Sequence, residues 1–125
     1  MKIKVLGNAG CGSYWFKSNF GVFQAKWGEA HSPKMIEYNA ELECSDIITP
    51  LQIAQNDNCA CLIEYKNGNN HLSGLLCMLE DNIMFFSIGD SILMIEVTSR
   101  ELFDKYIGRY ITLQIKNLTV YDVDI

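Results

Sequence analysis

The sequence predicts an α+β fold, in which a strongly twisted, mainly antiparallel β-sheet forms a sandwich or half-barrel with one clear short helix near residues 99–107. Residues 71–97 contain three apolar runs separated by two short polar turns, a pattern typical of a β-meander. Residues 35–44 alternate strictly between apolar and polar side chains, the period of a half-exposed strand. Residues 98–108 carry a helix start, an apolar stripe and a terminal glycine. We expect roughly seven to nine strands in a single domain spanning residues 1–125.

The N-terminal third predicts two strands, over residues 2–6 and 20–27, and a flexible glycine-rich loop. The loop at residues 7–12 has glycines in the order G-x-x-G-x-G, the reverse of the dinucleotide-binding order, and no long helix follows for a pyrophosphate. The adjoining residues are similar to a papain-type segment, but Tyr14 stands at the position of the nucleophilic cysteine. No histidine follows His71, so no base is available downstream and we expect no catalysis here.

The alternating segment at residues 35–44 places an acidic row on its solvent side. Its polar positions include Glu37, Glu41 and Glu43, while the intervening apolar side chains face the core. Two interpretations remain open. The glutamates either protect an exposed strand against aggregation or form an electrostatic docking strip for a basic partner.

The middle of the chain predicts an irregular segment followed by a hairpin. Pro50 lies in a segment expected to be irregular or to contain a 3₁₀ turn. Residues 60–66 predict a strand, and Asn67-Gly68 is typical of the tight turn of a hairpin that leads into the meander. The two later runs of the meander are apolar at nearly every position, which predicts that both of their faces are covered.

The predicted helix begins at Thr98, which has capping-box spacing to Glu101, and ends before Gly108. Its apolar stripe, at helical spacing, consists of Leu102, Phe103, Tyr106 and Ile107.

Beyond this helix, the sequence predicts a hairpin of two strands, residues 110–115 and 118–125, turning at Lys116-Asn117. Asp122 and Asp124 share one face of the second strand and predict a second acidic strip.

Charge and cysteine content narrow the class of protein. The formal net charge is −5, but residues 1–34 hold five lysines against one glutamate, whereas residues 35–125 hold five basic and fourteen acidic residues. Such a surface disfavours nucleic acid and attracts basic partners.

The five cysteines are odd in number and lack zinc-site spacing, so we expect free structural thiols. With no apolar run long enough for a membrane span and no signal-like N-terminus, the expected location is the cytoplasm.

The residues bear on three classes of function: an enzyme, a small-molecule binder, and an inhibitor or adaptor. An enzyme needs a poised acid, base, nucleophile or metal, and no such constellation stands out. A small-molecule-binding β domain is the alternative that stays open, because the N-terminal third is rich in rings that either line a cavity or fill the core. The third class is an inhibitor or adaptor that acts by surface recognition.

The whole chain resembles the small acidic immunity proteins of bacterial contact-dependent growth inhibition and other polymorphic toxin systems. The resemblance lies in size, charge, the absence of a catalytic motif, a mostly β layout and the ending at residues 110–125. It implies a cytoplasmic, non-enzymatic protein that binds and neutralises a cognate toxin domain, often a basic nuclease. It implies no cofactor, metal, nucleic acid, membrane or small-molecule substrate. The candidate partner-binding residues are Glu37, Glu41, Glu43, Asp122 and Asp124.

Overall fold

The computed structural model describes residues 1–124, which contain twelve strands in two sheets. The strands of the first sheet are β1 (Lys2–Gly10), β2 (Ser13–Ser18), β3 (Gly21–Trp27), β4 (Glu37–Cys44) and β12 (Leu118–Asp122). Those of the second are β5 (Ile47–Ile48), β6 (Ile53–Gln55), β7 (Leu62–Lys66), β8 (Asn69–Glu80), β9 (Ile83–Ile88), β10 (Ser91–Val97) and β11 (Tyr110–Ile115). All strand pairs except two are antiparallel, so the prediction of a mainly antiparallel β structure is confirmed.

The first sheet is a closed barrel with the order β1-β2-β3-β12-β4, in which β4 pairs back onto β1. Its one parallel pair joins β12 to β3. The alternation of apolar side chains along each strand fills the interior, because successive residues point to opposite faces. Phe16 and Phe23, which are directly opposite each other on β2 and β3, are fully buried there, and their rings stack with centroids 5.5 Å apart.

The second sheet has the order β5-β10-β9-β8-β11-β6, and β8 is its central strand. One edge of this twelve-residue strand pairs with β11, while the other pairs first with β7 and then with β9. The meander predicted over residues 71–97 is therefore confirmed as β8, β9 and β10. The hairpin turn before it is also confirmed, since Asn67 and Gly68 both have positive φ, at 54° and 79°.

The predicted C-terminal hairpin is wrong, because β11 and β12 lie in different sheets. The second sheet is inserted between β4 and β12 of the barrel, so the chain crosses back at Lys116 and Asn117 instead of turning on itself. The backbone N–H groups of these two residues donate to the carboxylate of Asp46 at 2.9 and 2.7 Å, which ties the outgoing and returning connections together. Ile125, the last residue of the predicted strand, lies outside the described residues.

The predicted helix over residues 99–107 is also wrong. Two 3₁₀ turns, Arg100–Leu102 and Asp104–Tyr106, replace it. Phe103 lies between them, with φ −112° and ψ −10°, and is fully buried, whereas Leu102 is 52% exposed. Helices this short are marginal without tertiary support. In this segment the burial of the Phe103 ring between the two turns decides the path of the chain instead.

Of the expectations for Pro50 and for β10, the first is confirmed and the second is wrong. The 3₁₀ turn expected near Pro50 is confirmed as Pro50–Gln52, with the proline at the start of the turn. The expectation that β10 is covered on both faces is wrong: Ile92 and Met94 are 62% and 63% exposed, while Leu93 and Ile95 between them are buried. The second sheet thus presents an apolar outer surface to solvent at β10.

Candidate partner-binding surface

Strand β4 carries the acidic row that the sequence predicts. Glu37, Glu41 and Glu43 are exposed, while Tyr38 and Ala40 between them are buried in the barrel. Glu41 pairs with Tyr121 of β12, and Glu43 pairs with Thr119. The outer face of β4 that carries the glutamates therefore continues onto the outer face of β12. Successive members of such a row are about 7 Å apart for each two-residue step. Glu41 and Glu43 are therefore about 7 Å apart and Glu37 is about 14 Å from Glu41, with Asn39 between them, so the row is an unevenly spaced set of three negative charges on one strand.

The two C-terminal aspartates do not share a strand face, but they stay in contact, because the backbone N–H of Asp124 donates to Oδ1 of Asp122 at 2.9 Å. Strand β12 ends at Asp122, which pairs with Ala40 and hence projects on the side of the barrel interior, at its end. Its backbone N–H donates to Glu29 at 3.1 Å. Asp124 follows the strand in a turn and accepts a hydrogen bond of 2.8 Å from the side chain of Asn39 on the outer face of β4. Asp124 thereby joins the acidic row of β4, whereas Asp122 does not.

A groove runs between β4 of the barrel and β10 of the second sheet and has a volume of about 530 Å³. We call it the β4–β10 groove and define it by the residues that line it: Met1, Ala40, Glu41, Leu42, Glu43, Asp90, Ser91, Ile92, Leu93, Met94, Tyr121 and Val123. These residues include two glutamates and an aspartate but no lysine or arginine. The groove therefore combines a negative wall with an apolar one.

The apolar wall continues across the outer face of the second sheet. Met94 lies opposite Phe85, which lies opposite Met78, so these three side chains form a row across β10, β9 and β8. Met78 and Met94 are exposed, and Phe85 is half-buried. A contiguous apolar surface with acidic neighbours is typical of a protein-binding site.

The sequence contains a signal for this exposed surface within β10. In residues 91–97 the glutamate at position 96 has the same parity as Ile92 and Met94. Because side chains of one parity share a face, a charged residue at that parity indicates a face open to water. The uniformly apolar appearance of the strand concealed this.

Groups that could carry chemistry are dispersed over the described residues. Among residues 1–124 no three His, Cys, Asp or Glu side chains are grouped as metal ligands. Cys11 lies exposed at the turn between β1 and β2, with φ 53°, and His31 lies exposed in a loop. His71 faces its strand partners Glu64 and Gln114, and its Nε2 atom is buried without a hydrogen-bond partner.

The aromatic side chains of the N-terminal third are used for packing. Phe16 and Phe23 fill the barrel, and Trp27 stacks on Phe16 and also contacts Tyr38, at centroid distances of 6.4 and 4.9 Å. Trp15 packs edge-on against Tyr65 of β7, with centroids 5.0 Å apart, and so joins the barrel to the second sheet. Of these rings, Phe16 and Phe23 are fully buried, so they belong to the core.

The chain matches no family model, no curated protein and no solved structure. The described residues include no helix that is long and apolar enough to cross a membrane. The case for a function therefore depends on the surface itself.

Proposed function

We propose that this chain is a cytoplasmic immunity protein that binds and neutralises a basic cognate toxin domain, of the nuclease type, by surface recognition and without catalysis. The observation that carries the proposal is the position of the acidic row of β4, which runs beside the exposed apolar residues of β10. Glu41 and Glu43 belong to both the row and the β4–β10 groove.

The two components contribute different parts of the recognition. A row of like charges on a rigid strand raises the rate of encounter with an oppositely charged partner and opposes like-charged ones. Exposed apolar side chains such as Ile92 and Met94 supply the area whose burial stabilises the complex, at roughly 25 cal/mol per Å² before the costs of association are subtracted. An inhibitor needs both, because charge alone gives fast but weak binding.

The reading frame beside this one in its genome provides the experiment. We expect it to encode a protein that ends in a toxin domain, and we expect expression of that domain to stop growth unless this chain is co-expressed. The purified pair should form a complex that inhibits the toxin activity. A neighbouring toxin whose effect is unchanged by co-expression, or a neighbouring frame without a toxin domain, contradicts the proposal.

The role of the acidic row is tested within the same complex by changing Glu37, Glu41 and Glu43 together to glutamine. These side chains face water, so the fold should be retained. Association should slow by about tenfold at low salt, and the deficit should shrink toward about 1 M salt, where the Debye length is about 3 Å. Asp124→Asn should act in the same direction, because Asp124 adjoins the row at Asn39.

A matched control removes the same number of charges elsewhere. Asp57→Asn, Glu80→Gln and Asp81→Asn are changes at exposed positions outside β4 and the β4–β10 groove. The control triple should bind at nearly the rate of the parent protein. If the β4 triple also does so at low salt, the row is only solubilising and the interface lies elsewhere, with residues 7–15 the first segment to test.

A further inference from the structure

We propose that the outer face of the second sheet receives an amphipathic helix of the partner protein, whose apolar stripe lies on β8, β9 and β10 and whose basic side chains point toward β4. This inference deepens the proposed function, on which it rests for the identity of the partner. It specifies which part of the surface supplies affinity and which kind of segment the partner contributes.

The backbone edges of β9 and β10 are occupied by neighbouring strands. β9 pairs with β10 on one side and with β8 on the other. β10 pairs with β9 on one side, and β4 lies alongside its other edge. A partner therefore reaches these two strands through the side chains that point away from the core. An apolar sheet face of this kind is buried in proteins against a helix or a second sheet.

The outward side chains of the three strands form an apolar floor. Met78, Phe85 and Met94 lie in one row across β8, β9 and β10, and Ile92 lies one two-residue step from Met94 along β10. We call these four residues the apolar floor. Three of them, Met78, Ile92 and Met94, are exposed. Because methionine side chains are flexible and polarizable, a floor that contains two of them can adapt to the ridges of an incoming helix.

The dimensions of this face fit one helix. The first and third of three neighbouring strands are about 10 Å apart, and the outward positions of β9 from Ile83 to Ser87 extend about 14 Å along the strand. An α-helix is about 10 Å across, and about 14 Å of its axis corresponds to about nine residues. A helix of two to three turns therefore covers the floor, whereas a second sheet would extend well beyond it.

Negative charge flanks the floor on the side of β4. Residues 67–99 contain no lysine or arginine. Glu96 shares the outer face of β10 with Met94, and Glu41 and Glu43 line the groove that Met94 also lines. A helix on the floor thus has carboxylates along one flank, where lysine or arginine is favoured. A second copy of this chain would bring like charges to the same place, which opposes a dimer through this face.

The direct test follows the five methionine methyl groups of the isotope-labelled full chain by NMR. The probe is a capped peptide of about fourteen residues, with leucine at the helical spacing i, i+3, i+4, i+7 and lysine or alanine elsewhere. The signals of Met78 and Met94 should shift on titration. Those of Met35, which is 59% exposed but outside the floor, and of Met84, which is buried on the inner face of β9, should not.

Two control peptides separate the apolar stripe from charge and composition. A peptide of the same composition with scrambled leucines keeps the charge but has no stripe, so it should bind at least about tenfold more weakly. A peptide with glutamate in place of lysine keeps the stripe but reverses the charge, and it should be weakened to a similar extent at about 0.1 M salt. The helix content of the lysine–leucine peptide, measured by circular dichroism, should rise when the protein is added.

Matched variants of the protein locate the binding site. Met78→Gln combined with Met94→Gln keeps the charge and nearly the volume of the floor but makes it polar, so calorimetry should show at least about tenfold weaker binding of the peptide. Met35→Gln combined with Leu51→Gln makes the same kind of change at two exposed positions outside the floor. This control pair should bind the peptide as the parent protein does.

Each contrary result overturns the inference. It is overturned if the peptide leaves the Met78 and Met94 signals in place, if the scrambled peptide binds as tightly, or if the floor variant binds unchanged. Sedimentation that shows a dimer in the parent protein but not in the floor variant would assign the face to a second copy instead.

The proposed function fails independently, if the neighbouring toxin is not neutralised. A chain that neutralises its toxin but fails the peptide tests is an immunity protein with a different binding mode.

Discussion

Asn70 forms a paired set of hydrogen bonds with the backbone of Gln24. The Asn70 side chain is buried at the start of β8, where its Nδ2 donates to the Gln24 carbonyl at 2.6 Å and its Oδ1 accepts from the Gln24 N–H at 3.2 Å. A single amide thus bonds to β3 as a neighbouring strand would. Because β3 belongs to the barrel and β8 to the second sheet, the pair links the two sheets.

Removing this amide should destabilise the protein. Asn70→Ala leaves the N–H and C=O of Gln24 without partners in a largely buried place, and we expect the free energy of unfolding to fall by about 2–3 kcal/mol. Urea denaturation followed by circular dichroism measures the change. Asn69→Ala, one residue away with a single hydrogen bond of 3.4 Å to Asn67 in the same turn, should lower it by less than about 1 kcal/mol. Equal losses for the two variants contradict the assigned role.

The carboxylate of Asp46 supports the two connections between the sheets. It accepts the N–H groups of both Lys116 and Asn117, so Asp46→Asn places an amide donor opposite at least one N–H donor. We expect the free energy of unfolding to fall by about 1–2 kcal/mol. Asp57→Asn, on an exposed loop, should change it by less than about 0.5 kcal/mol. If the Asp46 variant unfolds at the same urea concentration as the control, the connections are held by other contacts.

Local patterns were sufficient for most strands but not for their assembly. The alternation that placed Glu41 outward, and the Asn67-Gly68 turn, depend only on neighbouring residues, so both could be predicted. The separation of β11 from β12 could not, because Lys116 and Asn117 are chemically suited to a turn as well as to a crossing. What decides between them is long-range strand pairing, since β11 pairs with β8 and β6 whereas β12 pairs with β4 and β3.

The candidate surface was predictable only where the alternation of neighbouring residues places its side chains. The acidic row follows from the alternation within β4, and Glu41 and Glu43 were found from the sequence alone. The sequence predicts Asp124 in a different strip, because its contact with Asn39 depends on the pairing of β12 with β4, which are distant in the chain. The exposed face at Ile92 was indicated only by Glu96, which shares its parity, while the position of this face beside β4 depends on strand order that no local pattern records.

The buried ring of Phe103 lies between the two 3₁₀ turns that form where a helix was predicted. Removing the ring should lower the stability of the protein. Phe103 is fully buried, so Phe103→Ala should lower the free energy of unfolding by about 3–5 kcal/mol, through lost burial and the cavity left behind. Leu102→Ala changes a half-exposed neighbour in the same segment and should cost less than about 1 kcal/mol. In a true amphipathic helix both residues belong to the buried stripe, so similar losses would favour the helix and contradict the pair of 3₁₀ turns.

The five cysteines are free thiols in the structure, as the sequence predicts, but they differ in environment. Cys44 is buried at the end of β4, whereas Cys11 and Cys77 are exposed. Burial raises the pKa of the Cys44 thiol from 9.0 to about 12, because the thiolate is poorly solvated there. Cys44 should therefore be alkylated by iodoacetamide more slowly than Cys11 or Cys77 in the native protein at pH about 8, which peptide mass spectrometry can resolve.

The same shift predicts a dependence of stability on pH. Below pH 9 the Cys44 thiol is protonated in both the folded and unfolded states, so its contribution is fully present. As pH rises from 9 toward 12 the unfolded state ionises first, and stability falls by up to about 1.4 kcal/mol per pH unit. The Cys44→Ala variant lacks this thiol. As pH rises through this window, the stability of the variant relative to that of the parent should therefore improve. Urea denaturation measures both stabilities. Cys77→Ala should show no such gain, and equal alkaline slopes for the parent and Cys44→Ala would mean that the thiol is solvated in the folded protein.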